Sequence, residues 1–136
     1  MSRSGYSDDC ENFELYRASV DRAMRGARGQ HFLRKLRTAL DAMPTKRLIA
    51  DVIADEAGDV CALGSVDPAA TVDPEDADAV GAYFGIARSM AAEIVYENDE
   101  GCYGIETPEE RWARMRAWVE KQIGPDVADQ PTQEQP

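Results

Sequence analysis

Residues 30–64, QHFLRKLRTALDAMPTKRLIADVIADEAGDVCALG, limit the folds open to this chain more than any other stretch. Phe32, Leu33, Leu36, Leu40 and Met43 recur at helical spacing, with Arg34, Lys35 and Arg37 on the other side. The pattern predicts a helix that Pro44 stops. After Thr45, Lys46 and Arg47 the period changes. Two short apolar runs, 48–54 and 60–63, flank an acidic, glycine-containing turn at 55–59, the pattern of a β-hairpin. Neither a helix nor a hairpin buries its apolar face alone, so the remaining helices are expected to pack on this pair. The expected fold class is therefore α+β, mainly α: four to five helices with a short β-hairpin.

At 136 residues the chain has the length of a single domain able to bury its own core. Residues 7–123 are expected to form it, after a flexible leader at 1–6 and before a disordered Pro/Gln-rich tail at 124–136. Cys10, Cys61 and Cys102 are odd in number and widely spaced, and His31 is the single histidine. That set predicts reduced thiols, with no metal and no cofactor. The first residues lack an apolar signal region, and no run approaches the roughly 18 apolar residues of a membrane span, so neither secretion nor membrane insertion is indicated.

The net charge of −11 is unevenly spread. Residues 1–48 hold 10 basic and 6 acidic side chains, residues 49–106 hold 1 and 14, and residues 107–136 hold 4 and 6. A basic pole followed by an acidic one can orient a charged partner; alternatively the poles neutralise each other in the fold.

Ser7 or Asp8 is placed to cap a first helix, whose core face carries Phe13, Tyr16, Val20 and Met24. That helix should end near 25–29, RGARG. Two glycines and two arginines there suit either an anion-binding turn or a plain hinge between helices; no P-loop or dinucleotide fingerprint is present. Asp73, Pro74 and Asp76 signal another helix start. The periodic stretch 73–98 reads as one helix or as two broken at 84–86, where Gly85 interrupts it. Residues 81–95 superficially match a helix-turn-helix, but their acidic setting opposes DNA contact. The acidic loops 55–59 and 96–101 lack the ligand spacing of a calcium loop and read as solvated. Thr107, Pro108 and Glu110 form a capping box for a last helix with Trp112, Met115, Trp118, Val119 and Ile123 along one stripe. No nucleophile with a base and no carboxylate pair in a recognisable setting emerges, so no catalytic residue is assigned.

The segments SGYSDDC, RGARGQHFLRKLRTALDAMPTKRLIA, VCALG, DPED, FGIARSMAAEIVYENDEG and ETPEERWARMRAWV resemble a family of small, uncharacterised acidic proteins encoded by bacteriophages and prophages. The resemblance implies a phage origin, a cytoplasmic site of action in the infected bacterium and an accessory role. It brings no catalytic or binding residues. Charge and resemblance together lead to the expectation of a non-catalytic protein that binds a host or phage protein with a basic surface, as an inhibitor of bacterial defence does, anti-CRISPR-like or mimicking nucleic acid. Asp55, Asp59, Asp76, Asp78, Glu97, Asp99 and Glu100 are the candidate contacts on the acidic face. The competing expectation is a nucleic-acid-binding regulator using Arg25, Arg28, Arg34, Lys35, Arg37, Lys46 and Arg47.

Overall fold

The computed structural model describes residues 10–102 and 104–125. The expected leader, the cap at Ser7 or Asp8, the side chain of Phe13 and all but two residues of the expected tail lie outside them. Six helices occur among the described residues: α1 (Cys10–Arg25), α2 (Ala27–Ala42), α3 (Ala62–Val66), α4 (Ala77–Phe84), α5 (Arg88–Glu100) and α6 (Pro108–Gln122).

The predicted stripe on α2 is the core side of that helix, with Phe32, Leu33, Leu36 and Leu40 buried. Each such side chain stabilises the fold by about 1.5–3 kcal/mol. They meet Val20 and Met24 of α1, Met90 and Ile94 of α5, and Met115 and Val119 of α6 in one core. The two tryptophans of α6 pack only at its margin, and Trp112 Nε1 donates to the Leu40 carbonyl at 3.2 Å. The capping box at Thr107 and Glu110 forms as the sequence predicts.

Between α1 and α2 the chain breaks at a single residue, Gly26, whose extended ψ of 163° ends one helix and starts the next. Gly29 is buried against the Ala23 carbonyl, where a Cβ would collide with α1 backbone. The RGARG glycines thus serve a tight helix junction. Gln30 fastens it: its Nε2 donates to the carbonyls of Met24 (2.7 Å) and Gln122 (2.9 Å), and its Oε1 accepts from Gly124 N–H at 2.8 Å.

The expected β-hairpin, and with it the α+β class, is not found: the described residues hold no strand, and the architecture is all-helical. Residues 49–61 do double back, with Ile49 N–H donating to Val60 O and Cys61 N–H to Ile53 O, but only one isolated antiparallel bridge, Ala54 to Val60, results. Two causes are visible. Asp51 takes a left-handed φ of 77°, which interrupts any strand after two residues. The second apolar run then coils into α3 instead of extending. Asn98 Oδ1, brought in from α5, accepts the N–H of Ala62 in the first turn of α3 at 3.0 Å, so a helix start gains a partner a strand would not use.

The stretch 73–98 is two helices. Gly85, with φ 73°, caps α4, and the chain restarts at Arg88. Asp76, not Asp73, is the N-cap of α4, accepting from Ala79 N–H at 3.1 Å, while Asp73 holds the preceding turn by accepting from Glu75 N–H.

Asn98, 2% exposed, joins these parts. Besides receiving Ala62, it donates through Nδ2 to the Ile49 carbonyl (2.9 Å) and to Asp99 Oδ1 (2.7 Å). Its own carbonyl accepts from Arg111 (2.9 Å) and Arg114 (3.2 Å) of α6. Replacing it strands the Ala62 N–H and the Ile49 carbonyl, each costing about 1–3 kcal/mol when unpaired. Asn98→Ala is therefore expected to lower unfolding free energy in urea by roughly 2–4 kcal/mol. Asn98→Asp is expected not to restore it, since it keeps the acceptor but sets a buried charge beside Asp99.

Candidate functional site

The charge asymmetry becomes two ends of the molecule. Tyr16 and Ser19 of α1 touch Ser89 in the first turn of α5, and Arg17 pairs with Glu93 at 3.0 Å, so α1 runs antiparallel to α5. The last turn of α1 and the start of α2 therefore lie beyond the N-terminus of α5. At the other end Asp99 accepts from the Asp51 N–H at 3.2 Å, placing the 51–59 loop beside the C-terminus of α5. A 13-residue helix separates these ends by about 20 Å.

The seven predicted acidic residues do not form one free face. Asp55 Oδ1 accepts from the N–H groups of Ala57 (3.0 Å) and Asp59 (2.9 Å) and so builds its own turn. Asp59 lies 3.5 Å from Arg47, Asp78 pairs with Arg88 at 3.0 Å, and Asp76 caps α4. Glu97 is half-buried, 3.8 Å from Arg114, and Glu100 is exposed at the end of α5. Asp55, Asp59, Asp99 and Glu100 gather at the acidic end; Asp78 stands instead by the first residue of α5.

Sequence reasoning missed the centre of that end. Val52 is 42% exposed, held outward just after the strained Asp51. It forms, with Ala54, Ala70, Val72 and Pro74, the apolar floor of open grooves that Asp55 and Glu56 border on one side. Asp73 and Glu75 flank Pro74 on the other, and both are exposed. A valine inside an apolar run carries no mark that it will face solvent, so only the fold reveals it. Below lies a small, partly open cavity of about 10 Å³ against Cys61 and Asn98, room for no more than a single water.

The predicted basic residues also divide. Lys46 Nζ donates to the carbonyls of Asp41 and Met43, each at 2.6 Å, closing the C-terminus of α2, and stands over the Trp112 ring. Arg47 lies between Asp59 and Glu109, Arg37 pairs with Glu120, and Arg34 donates to the Gly124 carbonyl at 2.8 Å. Arg25, Arg28 and Lys35 remain exposed, with no acidic partner among the described residues. Arg22, which the sequence did not single out, joins them.

No cluster of three or more His, Cys, Asp or Glu placed to hold a metal occurs among the described residues. Burial pushes the Cys61 thiol up to about 11, unsuited to a nucleophile. No described helix is long and apolar enough to cross a membrane. No protein-family model, curated protein or solved structure gives a significant match to the chain.

Carboxylates near α6 titrate in opposite senses. Hydrogen bonds from Arg114, at 2.6 and 3.0 Å, hold Glu106 below the usual carboxylate range. Burial and the neighbouring Glu93 push Glu97 up. A depressed carboxyl adds stability above its unfolded pKa, and this is lost as pH falls through the folded value. A raised one subtracts stability at neutral pH, and the penalty disappears on acidification through the raised value. Glu106→Gln is thus expected to be less stable than the parent at about pH 7, the gap closing only as pH falls below the ordinary carboxylate range and through the depressed Glu106 value. Glu97→Gln is expected to show a gain at neutral pH that fades at higher pH than the Glu106 effect, as pH falls through the raised Glu97 value toward the ordinary carboxylate range, both read by urea unfolding.

Proposed function

We propose that this is a non-catalytic accessory protein of phage origin that acts in the host cytoplasm by binding a protein with a basic surface. One observation supports it above the rest: an apolar groove around an exposed Val52, bordered by carboxylates at the more acidic end of the molecule. An apolar seat excludes water and sets the lifetime of a complex, while surrounding like charges steer the encounter and reject wrong partners. A cationic segment with one apolar side chain matches both features.

Basic surfaces of this kind belong above all to proteins that handle nucleic acid. A host defence nuclease is accordingly the class of target proposed, the protein's carboxylates standing where phosphates would. The internal uses of Asp55 and Asp76 are compatible with this role. A carboxylate that accepts backbone N–H groups keeps its negative charge and is held at a fixed position.

Capture from host lysate, followed by reconstitution with the purified partner, tests the reading. Val52→Ser combined with Glu56→Gln leaves the turn hydrogen bonds of Asp55 in place and is expected to weaken that complex by about tenfold or more, equivalent to roughly 1.4 kcal/mol. Raising salt is expected to slow association more than it speeds dissociation. A partner bound equally well by this variant would exclude the groove.

A further inference from the structure

The opposite end of the molecule carries a surface that the acidic groove does not use. Arg22 and Arg25 occupy the last turn of α1, and Arg28, His31 and Lys35 follow on α2 at i, i+3 and i+7, one face of that helix. All five are exposed. The nearest acid in sequence, Asp21, is engaged by Arg17, which also binds the buried Glu93. Every other arginine of the described chain, and Lys46, has a carboxylate or carbonyl partner; Arg22, Arg25, Arg28 and Lys35 do not. Arg22, Arg25, Arg28 and Lys35 thus leave four positive charges open at one corner of a chain whose net charge is −11.

The cluster is also rigidly set. Gly26 is the whole connection between the helices, Gly29 brings α2 onto the Ala23 carbonyl, and Gln30 ties the junction to the end of α6.

We propose that this corner binds the sugar-phosphate backbone of duplex DNA without reading sequence. From Arg28 to Lys35 the row runs about 10 Å, along which a duplex presents about six phosphate charges. The duplex fits better than an unpaired strand. Single-strand sites stack bases on aromatic rings, and the exposed large apolar side chains of the described residues, Leu15, Val52, Tyr83 and Ile105, do not include any on 22–35. The acidic end does not cancel the attraction, since it lies about 20 Å away against a Debye length of about 8 Å at physiological salt. The two ends then hold a basic protein and DNA at once, a bridge rather than a simple decoy.

The test is fluorescence polarisation of the full chain with a labelled 20-base-pair duplex across a series of salt concentrations, with the matching single strand as a second probe. Expected are dissociation constants of roughly 10⁻⁴–10⁻⁶ M and a log–log salt slope of about −3 to −4. Arg25→Gln, Arg28→Gln and Lys35→Gln together should weaken binding at least about tenfold and flatten the slope by about 2 to 3, whereas Val52→Ser with Glu56→Gln should leave it unchanged. Gln is a sound helix former at exposed sites; should the triple variant melt early, Lys35→Gln alone, with a slope change of about 1, carries the test. No binding at low salt, equal binding by the variants, or binding of the single strand alone would overturn the proposal. Because the groove variant is a separate arm, failure here leaves the protein-binding reading standing, and the reverse also holds.

Discussion

The architecture depends on one buried amide. Asn98 sits at the end of α5 where three pieces of chain meet: the return at 49, the start of α3 and the first turns of α6. An apolar side chain would leave two segments, at Ile49 and Ala62, with backbone groups lacking partners, and a charged one would add desolvation. An amide offers donor and acceptor together, which matches the Ala62 N–H and the Ile49 carbonyl that meet it. The two arginines of α6 complete the arrangement by taking carbonyls at the C-terminus of α5, where the helix dipole also favours cations.

Charge in this protein does two kinds of work, and the kinds are separated in space. Near the helix ends carboxylates act as acceptors for backbone N–H groups, at Asp55, Asp73, Asp76 and Asp99. Along α2 and α6 they pair with arginine, and Asp41 with Arg116 at 2.7 Å is the shortest such contact between the two helices. Outside this internal use stand Glu56 beside Val52 and the arginines and lysine of the corner at 22–35, while Asp55 and Asp73 border the groove with carboxylates already fixed by backbone N–H groups. The raw count of acids therefore overstates the free negative surface, and the raw count of bases overstates the free positive one.

How legible this was in the sequence depended on the range of the forces involved. α2 and α6 could be read because their signals are local: a 3.6-residue period, Pro44 at one end, Thr107 and Glu110 at the other. The break at Gly85 was visible as an interruption, but whether it ends a helix depends on Gly81, whose neighbourhood is filled by Ile86 and Arg88. The hairpin failed because its two apolar runs differ only in tertiary context. Asp51 turns left-handed with Asp99 on its N–H, and Ala62 begins a helix because a residue 36 positions away caps it. The candidate surfaces followed the same division. The two poles could be counted, but the exposure of Val52 and the removal of Arg34, Arg37, Lys46 and Arg47 from the basic end required the pairings.

The dependence on Asn98 also sets how the molecule can come apart. Residues 51–59 bury only Ile53 and are otherwise held by the Asn98 bond to Ile49 at their entry and a few return hydrogen bonds, whereas the junction of α1 and α2 is fixed by backbone contact and by Gln30. Segments secured so differently open with different free energies, as separate cooperative units. The groove can then loosen around an incoming side chain while the corner at the far end keeps its shape. Adaptability and rigidity are thereby assigned to opposite ends of one small core.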